Sequence, residues 1–264
     1  MIDTHAHVHS RAFDRDRAEV LARAADAGVD TLIEVNIDVA GWPAARALIE
    51  SNPQVFGTVG IHPHDVARAT VQEFEQLAAS VTHPKIRAVG ETGIDYYRDY
   101  APYEIQREFF RRHVRLARES KLPIVVHARQ KQDGPSAHHD VLSMLEEEGR
   151  GEVRGVLHCF SGDLEVARRA HALGFKLGIG GAVTYAPKKS GPLLASIAEV
   201  CGAEIFVLET DCPYLTPHPR RNERNEPASI PVIADALAGY LSLPRGEIER
   251  VTDEAARLLF QLDS

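Results

Sequence analysis

Two imidazoles, His5 and His7, stand two residues apart in the opening segment Met1-Ile2-Asp3-Thr4-His5-Ala6-His7. On a β-strand, side chains two apart share a face, so this pair can aim two nitrogen ligands at one divalent cation. Four later segments that read as strands also lead into a ligand-type residue. Glu91 follows Ile86–Gly90, His127 follows Pro123–Val126, His158 follows Glu152–Leu157, and Asp211 comes shortly after Ile205–Leu208. Imidazole with carboxylate is the ligand set of zinc, manganese or iron, and carboxylate oxygens also admit magnesium. Six groups are too many for one tetrahedral ion. Two cations about 3.5–4 Å apart that share a carboxylate would use them all.

Residues so far apart in sequence meet only if the strand ends converge, and the rest of the chain is patterned for that. Asp14 is placed to cap a helix ending at Gly28, Thr31–Val35 reads as a strand, and Trp42–Ser51 as a helix. A third strand, Gln54–Ile61, runs into His62-Pro63-His64, and a helix over Val66–Ser80 leads back to Ile86–Gly90. Pro102 opens a long helix with Ile105, Phe109, Phe110, Val114 and Ala117 at helical spacing. After Pro123–Val126, a polar loop holding His138 and His139 precedes a helix ending at Gly149. Asp163 caps the next helix, which stops near Gly174. Phe175–Ile179 is the seventh strand, a helix over Leu193–Val200 leads to Ile205–Leu208, and helices over Ala228–Leu241 and Glu247–Phe260 finish the chain. Gly178, Gly180 and Gly181 leave room for a ligand to approach the backbone.

Strands alternating with helices require parallel pairing through crossovers, and eight such units close into a barrel. The expectation is an α/β fold, a single (β/α)8 TIM barrel over residues 1–264 with additional C-terminal helices. A doubly wound open sheet is the alternative, but no glycine fingerprint follows any strand. In a barrel the C-terminal strand ends form the mouth, which is where the ligand-type residues fall.

Composition bounds the function. With 44% hydrophobic and 26% charged residues among 264, the chain can bury a large core. A net charge of −8 counts against electrostatic coating of nucleic acid. It leaves open a local site for a few phosphates, where cations supply the positive charge. No apolar run approaches the roughly 20 residues of a membrane span. Residues 1–30 carry charges throughout, so no export signal is expected. The thiols Cys159, Cys201 and Cys212 are odd in number and widely spaced, which points to reduced cysteines and a cytoplasmic location.

The segments DTHAH (3–7), GIHPH (60–64), GETGIDYY (90–97), VHAR (126–129), LHCFSG (157–162), ETDCPYL (209–215) and RNEP (224–227) resemble those of the TatD family of metal-dependent deoxyribonucleases. The match runs over nearly the whole chain, and jointly the motifs are specific. The resemblance implies a phosphodiesterase that acts on DNA, single-stranded or at 3′ ends, with two divalent ions per chain (magnesium, manganese or zinc). It puts His5, His7, Glu91 and Asp211 on one metal, and Glu91, His127 and His158 on the other. The loop Gln130–Ala137 is longer and more polar than this family leads one to expect.

The chemistry of the residues agrees. Asp211, beside the attacking water, can accept its proton as general base, and Glu91 is the other expected catalytic group. Arg129 shares strand parity with His127, and its guanidinium fork suits a phosphate. His62 is placed to donate to the same phosphate. Glu209 and Asp95 share parity with Asp211 and Glu91 and can orient imidazoles as acceptors. Tyr96 and Tyr97 offer stacking faces for a nucleobase.

Blander roles are expected elsewhere. His9, His64, His83, His113, His138, His139, His171 and His218 read as surface or hydrogen-bonded histidines, with His64 nearest the mouth. Cys159 and Cys212 follow ligands at opposite parity, which sends them to the helix layer as small hydrophobes. Lys188, Lys189, Arg220, Arg221 and Arg224 read as a solvated rim. No membrane partner and no obligate protein partner are expected. Two other functions fit the scaffold: hydrolysis of an ester or amide, such as D-aminoacyl-tRNA deacylation, and metal binding without turnover. Related binuclear barrels usually bridge their metals with a carboxylated lysine on strand four. Glu91 occupies that place here and favours phosphodiester cleavage.

Overall fold

A computed structural model describes residues 1–262. Eight strands pair in parallel and in sequence order: β1 (Ile2–Ala6), β2 (Thr31–Glu34), β3 (Val55–Val59), β4 (Ile86–Asp95), β5 (Ile124–Arg129), β6 (Gly155–Leu157), β7 (Phe175–Ile179) and β8 (Phe206–Leu208). The ring is drawn together where Ala6 bridges Cys212, His7 N donates to Cys212 O at 2.9 Å, and Asp211 N donates to His5 O at 2.8 Å. The (β/α)8 barrel expected from the alternation is present.

The outer layer is α1 (Arg17–Asp26), α2 (Trp42–Ser51), α3 (Val71–Ala78), α4 (Tyr103–Ser120), α5 (Ala137–Gly149), α6 (Leu164–Ala172) and α7 (Pro187–Cys201), followed by α8 (Ile230–Leu241) and α9 (Arg245–Phe260). On α4, Gln106, Phe109, Phe110, His113, Val114 and Ala117 form the buried stripe that a 3.6-residue period requires. One side chain from each of six strands, Ile2, Ile33, Ala88, Val125, Val156 and Val207, packs with Ala255, Ala256, Leu259 and Phe260 of α9. That helix thus stoppers the pole opposite the mouth.

Several boundaries differ from expectation. Asp14 does not cap α1: a 3-10 turn over Arg11–Phe13 intervenes, Asp16 takes the N-cap position without a capping bond, and Asp14 pairs with Arg17 at 2.6 Å. The third helix starts at Val71 rather than Val66, because Thr70 and Glu73 form a capping box that satisfies the first free amides. Helix α5 starts at Ala137, capped by Ser136, so His138 and His139 lie in its first turn and not in a loop. Helix α7 is longer than the apolar run Leu193–Val200 suggests and starts at Pro187. Strand β4 continues five residues past Gly90, with a register shift between Val89 and Thr92.

Candidate metal centre

Glu91 is the hub of the mouth, and its two carboxylate oxygens face different imidazoles. Oε2 lies 3.3 Å from Nε2 of His5 and 3.9 Å from Nε2 of His7. Oε1 lies 3.1 Å from Nδ1 of His127, 3.1 Å from Nε2 of His158 and 3.5 Å from Nε2 of His62. Oδ1 of Asp211 completes the first set at 3.8 Å from His5 and 3.4 Å from His7. The ligand atoms of His5, His7 and Asp211 all lie within 4.8 Å of one another, and so do those of Glu91, His127 and His158. The structure therefore brings together all six side chains proposed as ligands, in two nests that meet at one carboxylate.

The outward nitrogens are held from behind. His7 Nδ1 donates to Val35 O at 2.8 Å, which leaves the lone pair of Nε2 directed into the site. His127 Nε2 meets Asp95 Oδ2 at 3.2 Å, whereas His158 Nδ1 makes no hydrogen bond among the described residues, although Glu209 Oε1 lies 3.3 Å from it. Such acceptors fix the tautomer and raise the basicity of the ligating nitrogen. Gly178 makes room for Glu209: a Cβ there would meet Glu209 Oε2 at 2.2 Å. The glycines of strand seven therefore accommodate a neighbouring carboxylate as well as the backbone, where a ligand had been expected.

The donor set fits cations. Nε2 of His5 and Nε2 of His7 are 3.2 Å apart, with Glu91 and Asp211 oxygens on the same side, so four groups that can ligate a cation crowd one point. Nδ1 of His5 is buried without a partner. Burial opposes charge on His7, but the bond and charge of Asp211, with Glu91 and Glu34, lift its pKa to about 9. Burial likewise favours a neutral Glu91, yet the charges of His158, His62 and His5 and the His127 bond pull it well below the ordinary carboxylate range. Carboxylates kept ionised among imidazoles, with no lysine or arginine paired to them among the described residues, are what divalent ions require.

His62 plays a different part. The amide of His64 donates to its Nδ1 at 3.1 Å, so neutral His62 carries its proton on Nε2, the atom turned toward Glu91. Burial holds its pKa well below the usual imidazole value, so the ring stays a neutral donor.

Arg129 is exposed, with its guanidinium 4.2 Å from the centroid of the Tyr97 ring. Tyr96 does not offer a stacking face. It is 1% exposed, its hydroxyl donates to Asp140, and Tyr103 packs on its ring at 4.4 Å. The helix-layer environment of α4 and α5 claims that side chain; Tyr97, 43% exposed, faces outward instead. The parity argument also misplaces Cys159. Its φ of 46° breaks the strand alternation, and its Sγ lies 3.9 Å from Asp211 Oδ2 at the edge of the site. Cys212 does pack in the apolar layer as expected.

His64, read as peripheral, joins the network: its Nε2 is 2.7 Å from Asp95 Oδ2, which it shares with His127. The GIHPH segment was the signal, but only the fold shows that Asp95 stands opposite. Glu34 was missed: fully buried, it accepts the amides of Val8 and His9 at 3.0 Å and pairs with the His9 ring. In the basic cluster, Arg224 pairs with Asp16 at 2.6 Å and Arg220 with Glu223 at 2.5 Å, while Arg221 lies 4.1 Å over the Tyr185 ring.

The model of the family described as TatD related DNase matches residues 2–261. The Bacillus subtilis protein YabD, named an uncharacterized metal-dependent hydrolase, is 35% identical over 100% of both chains. A Cronobacter turicensis protein named 3′-5′ ssDNA/RNA exonuclease TatD is 32% identical, over 98% of this chain and 97% of its own. The crystal structure of YJJV, a TatD homologue from Escherichia coli K12, superposes with a TM-score of 0.89 at 27% identity, covering 99% of this chain and 98% of that one. The protein belongs to the TatD family of metal-dependent hydrolases.

Proposed function

We propose that the chain is a divalent-cation-dependent nuclease that hydrolyses phosphodiester bonds of single-stranded DNA from the 3′ end. The observation that carries this reading is the division of Glu91 between two ligand nests, Oε2 toward His5 and His7, Oε1 toward His127 and His158. His5, His7, Glu91 and Asp211 would hold one ion, and Glu91, His127 and His158 the second; magnesium, manganese and zinc all suit the set. When bound, such a pair acidifies water and neutralises the non-bridging oxygens of a phosphate in line for displacement.

The chain's own residues do the rest. Asp211, ionised because His7 bonds it despite its burial, accepts the proton of the attacking water. His62 donates through Nε2–H to a phosphate oxygen, and Arg129 offers a second charged donor at the rim. Tyr97 gives the terminal base a face to stack on, under the Arg129 guanidinium. The acidic overall charge limits non-specific binding, so cations and these few donors must supply most of the phosphate affinity.

The test is degradation of a 3′-labelled and a 5′-labelled single-stranded oligonucleotide with magnesium, manganese or zinc, beside D-aminoacyl-tRNA as a second substrate. Early release of the 3′ label, abolished by chelation, is the expected outcome. Ester cleavage without nucleotide release would overturn the reading.

A further inference from the structure

At the pole opposite the metal nests, between the starts of β5, β6 and β7 and the end of α9, lies a hollow of about 710 Å³. Its lining includes four cations, Arg118, Lys121, Arg154 and Lys176, and one carboxylate, Glu152. Elsewhere the helix layer neutralises its arginines: Arg115 meets Glu148 at 2.8 Å, Arg169 meets Glu146 at 2.6 Å, and Arg250 meets Glu247 and Glu254 at 2.7 and 2.8 Å. The polar cluster does the opposite. Arg118 donates to Glu148 O at 2.6 Å, Arg154 to Gly151 O at 2.8 Å and Lys176 to Glu204 O at 2.8 Å, all neutral carbonyls. These bonds hold three of the cations in place, and among the described residues none of the four forms an ion pair within 4 Å, although the carboxylates of Glu148 and Glu204 stand close enough to Arg118 and Lys176 to offset them in part. In a chain of net charge −8, four cations against one carboxylate on the lining is a local excess of positive charge.

Backbone conformation contributes to the arrangement. Gly174 has φ +77°, and a Cβ there would meet Arg154 Cδ at 2.4 Å, so only glycine lets the arginine lie across this turn. Lys121 follows α4 in the left-handed conformation (φ 58°) and lines the opening. Leu122, Pro123, Leu258 and Leu259 give the wall an apolar part, beside the polar Gln261; Leu258 is 80% exposed.

We propose that this hollow binds a nucleoside phosphate, with the phosphates among the four cations and the base against the leucine wall. The volume lies within the range of about 300–1,000 Å³ typical of small-molecule sites. A bare inorganic anion would leave the leucines wet, and an uncharged base would leave the cations unused. Several cations around one opening favour a multiply charged head over a single carboxylate. This site is separate from the hydrolytic centre and does not depend on what that centre cleaves.

The test is calorimetric titration of ADP, pyrophosphate and adenosine into the cation-loaded full chain, repeated on Lys121→Glu/Arg154→Glu and on Glu91→Gln. ADP should bind more tightly than either fragment, lose at least tenfold in affinity in the double variant, and keep its affinity in Glu91→Gln. Equal binding of ADP and pyrophosphate, or a loss confined to Glu91→Gln, would overturn the proposal. Should the double variant fail to fold, Leu258→Trp decides: ADP should change the emission of the new indole, and an unchanged spectrum refutes the site.

Discussion

Oδ2 of Asp95 lies 3.2 Å from Nε2 of His127, and that contact decides which imidazole nitrogen faces Glu91. Of the four histidines grouped as ligands, His127 alone turns Nδ1 to Glu91, at 3.1 Å, whereas His5, His7 and His158 present Nε2. Asp95 is pinned by the amides of Tyr97 and Arg98 at 2.7 and 2.9 Å on its other oxygen. Asp95→Asn keeps those two bonds through its remaining oxygen and removes the charge behind His127. Cation affinity should fall about 10–100-fold with little change in fold. Cation titration followed calorimetrically, beside far-ultraviolet circular dichroism, checks this; unchanged affinity would remove Asp95 from the site.

Glu91 serves both nests, so its neutral isostere should damage both. Glu91→Gln is expected to lower cation content from the proposed two per chain toward none, and turnover by roughly a thousandfold or more, as loss of a ligand shared by both proposed ions would imply. Asp211→Ala should be as severe for turnover while leaving the Glu91–His127–His158 group intact, so one ion per chain is retained. Elemental analysis of dialysed protein separates the two cases.

Arg129 touches no ligand and reaches the mouth only through its guanidinium over Tyr97. Arg129→Ala should raise KM about tenfold, the loss expected for one charge-assisted phosphate bond, with kcat nearly unchanged. Tyr97→Ala should weaken oligonucleotide binding by about 1–3 kcal/mol while leaving hydrolysis of a small phosphodiester intact. Steady-state kinetics on both substrates gives the split.

His113 makes stability depend on pH. Its Nδ1 donates to Phe109 O at 2.7 Å and its Nε2 accepts from Ile61 N at 3.0 Å, so the buried ring is used as a neutral bridge between α4 and the approach to His62. Burial lowers its pKa from 6.5 to about 4. Between those values the unfolded chain binds a proton that the native ring refuses, so stability falls as pH drops from about 6.5 to about 4 and is flat above. The full effect is on the order of 3 kcal/mol at about 1.4 kcal/mol per pH unit. Thermal unfolding from pH 7 to 4.5 should show the decline, and His113→Gln should flatten it. A parallel slope in the variant would assign the effect to other groups.

Much of the architecture was legible in the residues because the barrel repeats one local rule eight times, a buried strand followed by an amphipathic helix. The ligand types were equally plain, since imidazoles and carboxylates at strand ends stand out against apolar runs. Capping chemistry moved the helix starts: Thr70 with Glu73, and Ser136, set boundaries that hydrophobic spacing alone left several residues off.

What only the tertiary structure decided was contact across the ring. Strand parity assumes regular alternation, and the left-handed φ at Cys159 and the register shift in β4 break it. The sequence could not show that Asp95 serves both His64 and His127, or that Asp140 and Tyr103 enclose Tyr96. The sequence by itself determined which groups arrive at the mouth, because five of the eight strands carry ligand-type residues in or just past their C-terminal halves. Which atom of each group faces which partner followed from closure of the barrel, where neighbours distant in sequence fix tautomer, burial and charge.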